Sequence, residues 1–150
     1  MVYTASVKII VHTDGGARGN PGPAGIGVVI ADETHQKLAE VSEYIGETTN
    51  NFAEYEALIR GLEKAKELFG AKLRATDVEV RMDSELIVRQ LGGAYKVKDP
   101  GLKEQFAKVA RMRLEDFPSI TFTHVRREKN AHADDLVNKA IDTGAPHTKK

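Results

Sequence analysis

Val7-Lys8-Ile9-Ile10-Val11-His12-Thr13-Asp14-Gly15-Gly16-Ala17-Arg18-Gly19-Asn20-Pro21-Gly22-Pro23-Ala24-Gly25-Ile26-Gly27-Val28-Val29-Ile30 is the stretch on which the fold turns. Val7 to Val11 is almost wholly apolar, the pattern of a central strand covered on both faces. Asp14 closes that strand, and the glycines and prolines after it predict a tight loop leading into a second strand, Ile26 to Ile30. Asp-Gly between two apolar runs is explained by a hairpin alone. It also aims a carboxylate at solvent from a rigid strand end, and the two readings are compatible.

Working outward, Asp32 to Gln36 reads as a turn and Lys37 to Ile45 as a third strand, completing an antiparallel meander. Thr48-Thr49-Asn50-Asn51 clusters capping residues before a helical pattern of Phe52, Tyr55, Leu58, Ile59, Leu62, Ala65 and Phe69, closed by Gly70. Val78, Val80 and Met82 alternate as a fourth strand ending at Asp83-Ser84. A short helix follows, stopped by Gly92-Gly93, then a second from Pro100 to Arg113. Ile120 and Phe122 mark a fifth strand, the polar loop Arg126 to Asn130 follows, and a final helix runs from Ala131 to Asp142. A meander and then strands separated by helices predict an α/β fold: a mixed five-stranded sheet with helices on both faces.

The 150 residues suit one domain, expected over 1–143, with a frayed tail over 144–150. Cysteine is absent, which excludes disulfides and thiolate metal sites. The start Met1 to Ser6 lacks a secretory pattern and no apolar run approaches the ~20 residues of a membrane span, so a cytoplasmic protein without a membrane role is expected. Twenty-two basic residues balance 22 acidic ones, which argues against a purely electrostatic nucleic-acid binder.

Three further acids stand where patterning does not ordinarily place a charge. On a helical wheel Glu54 is the only charge in the apolar arc of the long helix, beside the small residues Ala57 and Gly61. A carboxylate buried without a partner costs several kcal/mol and is normally protonated, paired or metal-bound; a first-turn acid favoured by the helix dipole is the plainer alternative. Asp134 falls at the edge of the stripe Ala133, Leu136, Val137, Ala140 and Ile141, whereas Asp135 points away. Asp83 ends a strand and is equally suited to capping the next helix. Strand ends and helix starts of adjacent elements can converge at one edge of a sheet. An oxygen-only cluster there suits Mg²⁺ or Mn²⁺ and in-line phosphoryl chemistry.

Taken in order, Thr13-Asp14-Gly15 with Gly19-Asn20-Pro21-Gly22-Pro23, Thr48-Thr49-Asn50-Asn51 with Glu54, Asp83-Ser84, and Asn130 with Asp134 closely resemble the ribonuclease H type 1 family over nearly the whole chain. The resemblance implies a ribonuclease H-like fold, with the last two strands parallel to the first. It also implies an endonuclease cutting the RNA strand of RNA/DNA hybrids to 5′-phosphate and 3′-hydroxyl ends. Two Mg²⁺ ions, with Mn²⁺ as a substitute, would be held by Asp14 shared between them, Glu54 and Asp83 on one, and Asp134 on the other. Gly19, Asn20, Asn50 and Asn51 resemble groove positions, and Thr49 a phosphate contact; the alternatives are that Asn20 stabilises the turn and that Asn50 or Asn51 caps the helix. No protein partner is required.

Two departures from the family pattern stand out. The loop that carries a proton-shuttling histidine in many members reads Val125-Arg126-Arg127-Glu128-Lys129 here, leaving Glu128 as the candidate substitute and His124 and His132 as ordinary histidines. A basic protrusion is also missing, since Gly92 to Pro100 offers only Tyr95, Lys96 and Lys98, with Arg126, Arg127 and Lys129 either compensating or forming a solvated loop. A groove of low hybrid specificity would extend cutting to double-stranded RNA or DNA junctions. Loss of catalysis would leave a binding module, against which the retained acids argue because clustered carboxylates repel phosphate unless metal is present.

Overall fold

The computed structural model describes residues 7–144. Its elements are β1 (Val7–Ala17), β2 (Gly22–Asp32), β3 (Lys37–Thr48), α1 (Asn50–Phe69), β4 (Thr76–Met82), α2 (Glu85–Leu91), α3 (Pro100–Asp116), β5 (Ile120–His124) and α4 (Ala131–Gly144). Short 3₁₀ turns over Gly70–Ala75 and Arg127–Asn130 lead into β4 and α4. The sheet runs β3-β2-β1-β4-β5. Pairing is antiparallel within the meander, as its pattern predicts, and parallel from β1 to β4 and from β4 to β5, as the family resemblance implies.

Alternation sorts the two faces of the sheet. Ile9, Val11, Val28, Ile30, Val78, Val80 and Met82 form one core with α1, α2 and α3 through Tyr55, Leu58, Leu62, Ile87 and Val109. Burying a side chain of that size contributes about 1.5–3 kcal/mol, so this layer supplies the rigidity on which the site depends. Tyr55, fully buried, donates its hydroxyl hydrogen to Gln90 Oε1 at 2.7 Å and so ties α2 to α1.

The opposite face is covered by α4 over β1, β2 and β3. It comes so close that a Cβ on Gly27 would sit 2.1 Å from the Ala133 carbonyl oxygen. Beyond α4 the same face of β4 and β5 is polar. Glu79 there accepts from both Arg81 Nε and Nη2 at 3.2 Å and from Thr123 Oγ1 at 2.9 Å, with Lys8 Nζ at 3.3 Å.

Several boundaries differ from the sequence expectation. β1 continues through Gly15 and Gly16 to Ala17, so Asp14 lies within a strand, opposite Gly27, rather than at its end. Gly15 is there for contact, not for a turn: a Cβ on it would lie 2.1 Å from the Ala53 carbonyl oxygen of α1. The true loop is Arg18 to Pro21, between the two strands. β3 runs on to Thr48, α3 to Asp116 and α4 to Gly144; residues 145–150 of the expected tail lie outside the described residues. Among the described residues no helix is long and apolar enough to cross a membrane.

Candidate active site

Parallel pairing of β1 with β4 stops at His12 and Arg81, and the carboxylates Asp14 and Asp83 emerge just beyond it. The crevice past the carboxyl ends of neighbouring parallel strands is where open α/β sheets place their ligands. From one side α1 brings Glu54, and from the other α4 brings Asp134. Asp14, Glu54 and Asp83 each offer an oxygen within 4.8 Å of the others. Asp134 lines the same groove as these three, and its charge acts on Asp14. The expected four acids thus converge, while Asp135 is exposed on the far side of α4.

Each acid is held by local structure. Ser84, not Asp83, caps α2 by accepting from Ile87 N, which leaves the Asp83 carboxylate free to face the cluster. Thr49 caps α1 by accepting from Phe52 N at 3.2 Å, so Glu54 sits past the first turn and the dipole reading does not apply to it. Its Oε1 accepts instead from Gly15 N at 2.9 Å, possible only because the side-chain-free strand lets α1 approach.

Burial first, then the charges of Glu54, Asp83 and Asp134, push the Asp14 carboxyl up to about 9. Burial and Asp83 push Glu54 up to about 8, although the Gly15 N–H and Arg127 act against the rise. A cluster of this kind favours a proton or a cation over bare negative charge. The only donors it offers are carboxylate oxygens, which suit a hard divalent ion.

The acids open onto a groove of about 430 Å³, floored by Gly15, Gly16 and Ala17 and walled by Asn50 and Asn51 on one side and Val137, Asn138 and Ile141 on the other. The other expected contact residues divide. Asn51 lines this groove and a neighbouring hollow that also holds Asn20, Thr48 and Thr49. Asn20 and Asn50 brace each other: Asn50 N donates to Asn20 Oδ1 at 3.0 Å and Ala17 N to Asn50 Oδ1 at 2.7 Å, fastening the hairpin to α1. Gly19 takes a positive φ of 95° at the hairpin tip and lines neither. Glu128 is exposed on the 3₁₀ turn, outside the groove lining. His132 pairs with Glu40 at 3.0 Å and His124 stays in β5.

Two residues acquire roles that sequence reasoning did not assign. Arg127 leans toward the cluster, its Nε 3.8 Å from Asp83 Oδ2. Asn130, 1% exposed, donates from Nδ2 to the Thr13 carbonyl at 2.9 Å and meets His12 Nδ1 through Oδ1 at 3.1 Å. It therefore ties the start of α4, one helical turn before Asp134, to the Thr13 carbonyl immediately preceding Asp14 and to the His12 side chain. A signal was available: Asn130 precedes Ala133 and Val137 by three and seven residues, so the buried stripe of α4 extends back to it.

A family model described as reverse transcriptase-like matches residues 12–140. Ribonuclease HI of Halobacterium salinarum is 42% identical over 135 residues, covering 90% of this chain and 65% of that protein. A bifunctional protein of Mycobacterium tuberculosis is 44% identical over 140 residues, covering 93% of this chain but only 37% of its own length. Among solved structures, LC11-RNase H1 isolated from compost superimposes with a TM-score of 0.88 at 65% identity, covering 93% of this chain and 99% of that one. The same protein in a crystal structure with an RNA/DNA hybrid matches at 64% identity, over 92% of this chain and 99% of that one, also with a TM-score of 0.88. With the sheet order, the acid cluster and these likenesses in agreement, the chain belongs to the ribonuclease HI family.

Proposed function

We propose that the chain is a metal-dependent endonuclease that hydrolyses the RNA strand of RNA/DNA hybrids, leaving 5′-phosphate and 3′-hydroxyl ends. The observation that carries this reading is the convergence of Asp14, Glu54 and Asp83 within 4.8 Å, with Asp134 beside Asp14, at the head of a polar groove. Support comes from LC11-RNase H1, which has been crystallised with an RNA/DNA hybrid.

The donor set fits two Mg²⁺ ions, or Mn²⁺ in their place: Asp14 would be shared, Glu54 and Asp83 would hold one and Asp134 the other. When bound, such a pair acidifies the attacking water and stabilises the leaving 3′ oxygen of an in-line displacement. The chain's own contribution is placement. Gly15 N–H orients Glu54, Ser84 leaves Asp83 free, and Asn130 holds the backbone beside Asp14. Glu128 is exposed on the turn before α4, outside the groove lining, so that it or solvent would take the protons released there. Asn20, Thr49, Asn50 and Asn51 stand where amide and hydroxyl groups can read ribose 2′-hydroxyls and backbone phosphate, the means by which RNA is told from DNA without regard to sequence. Gly19 at the turn keeps the hairpin tip thin enough for a strand to approach.

End-group analysis tests the chemistry. With Mg²⁺, the RNA fragments should carry 5′-phosphates, accept extension from their 3′ ends, and disappear on chelation. Cyclic phosphate or 5′-hydroxyl ends, or cutting that survives chelator, would refute the mechanism.

A further inference from the structure

We infer that Arg18 binds a backbone phosphate of the RNA strand at the end of the groove away from Asp83, and so sets part of the affinity for substrate. This deepens the hybrid-cutting reading and rests on it.

Arg18 follows β1 directly and, by the alternation of a strand, shares a sheet face with Asp14 and Gly16. That face is the one α4 covers, and the guanidinium meets α4: Nη1 donates to Asp142 Oδ1 at 2.6 Å, and Nη2 to the Asn138 carbonyl at 3.4 Å and to Asn138 Oδ1 at 3.3 Å. Asn138 itself donates to the Asp134 carbonyl at 3.3 Å, one turn back. Arg18 is therefore held by the helix that presents Asp134.

Between Asp14 and Arg18 the only residue on that face is Gly16. A Cβ there would find nothing nearer than Val137 Cγ1 at 3.7 Å and Asn50 Oδ1 at 3.9 Å. The result is an open trough about 13 Å long, four residues at ~3.3 Å each, with acids at one end and a guanidinium at the other. A guanidinium has five N–H donors in a fixed fork. The Nε hydrogen and one Nη1 hydrogen of Arg18 are not used by Asp142 or Asn138, and the side chain is 48% exposed.

Charge placement gives this geometry its meaning. A groove lined by Asp14, Glu54, Asp83 and Asp134 repels a polyanion along its length except where cations stand. Among the described residues the cationic side chains lining it are Arg18 and Arg127, at opposite ends. A plain surface ion pair between hairpin and helix would need no position on a nucleic-acid groove.

The test is steady-state cleavage of an RNA/DNA hybrid with Mg²⁺ across a salt series, for the parent, Arg18→Ala, Arg18→Lys and Asp142→Asn, with thermal unfolding of each. Arg18→Ala should raise KM about tenfold with kcat within about twofold, and lower the log KM against log salt slope by about one. Arg18→Lys should restore most of the slope, and Asp142→Asn should leave KM near the parent value. Unchanged KM and slope in Arg18→Ala, beside an active parent, overturns the inference alone. So does an equal rise in KM for Asp142→Asn, since that would make the pair a staple rather than a contact. A parent that neither binds nor cuts the hybrid overturns the reading beneath it.

Discussion

Asp14 and Glu79 are carboxylates on the same face of one sheet, on neighbouring strands, and their surroundings treat them in opposite ways. Glu79 is ringed by Arg81, Thr123 and Lys8, which hold it down to about 2. Burial first, and then the charges of Glu54, Asp83 and Asp134, hold Asp14 up to about 9. Burial and neighbouring charges together decide the charge of a group: at Asp14 both raise the carboxyl, whereas at Glu79 the cations and hydrogen-bond donors outweigh burial. At Glu79 the charge is already matched and serves the structure. At Asp14 no cation of the described residues matches it, a setting that favours a proton or a bound cation.

The strongest way to break this contrast is to neutralise Asp14. Asp14→Asn should lower Mg²⁺-dependent cleavage by roughly 1,000-fold or more, the loss expected when a shared metal ligand goes. Yet it should stabilise the metal-free fold by about 1 kcal/mol, a rise in Tm of roughly 3 °C. The sign follows from linkage: an acid whose folded pKa is raised loses stability as pH climbs from its unfolded value, near 3.8, toward about 9. Thermal unfolding in chelator from pH 4 to 9 should therefore fall more steeply for the parent than for the variant. A destabilised Asp14→Asn protein would contradict the electrostatic description.

Removing the brace rather than the ligand should cost less. Asn130→Ala leaves the Thr13 carbonyl and His12 without their buried partner, which predicts roughly 10–100-fold lower cleavage and a higher Mg²⁺ requirement, with about 2 kcal/mol of stability lost. Metal titration of activity separates the two effects. At the opposite pole of the comparison, Glu79→Gln should leave cleavage intact and cost about 1 kcal/mol at neutral pH. That contribution is present above pH 4.5 and disappears as pH falls toward about 2, because the folded pKa is depressed. The smallest effect is expected one residue from the site: Asp135→Asn should cut within about twofold of the parent, whereas Asp134→Asn should be nearly inactive. Equal losses would show that the helix face has been misassigned.

Much of this was legible in the sequence. Strand and helix periods gave the succession of elements and a mixed five-stranded sheet, and the wheel separated Glu54 from its exposed neighbours and Asp134 from Asp135, because each depends only on which face of an element is buried. What escaped was decided between elements. Gly15 and Gly16 read as a turn because glycine signals both loops and close packing, and only the Ala53 carbonyl 2.1 Å from the absent Cβ distinguishes them. Asp83 is equally suited by sequence to ligation and to capping α2, and a hydrogen bond from Ile87 N to Ser84 gives the cap to its neighbour. Asn20 and Asn50 are expected as groove residues, with turn and cap roles as alternatives, and the structure has them bind each other's segments across the hairpin–helix gap. Asn130 and Arg18 act on partners 117 and 124 residues away, beyond the reach of any local pattern.

The central claim is that four acids of one cleft make a metal-dependent cutter of hybrid RNA. Its most direct test is cleavage of sequence-matched RNA/DNA, RNA/RNA and DNA/DNA duplexes with Mg²⁺, Mn²⁺ or chelator, with Asp14→Asn run in parallel to exclude contamination. Cutting of the RNA strand of the hybrid, dependent on metal and lost in the variant, is the predicted result. Hybrid binding without cutting in either metal, or cutting that persists in Asp14→Asn, would contradict it.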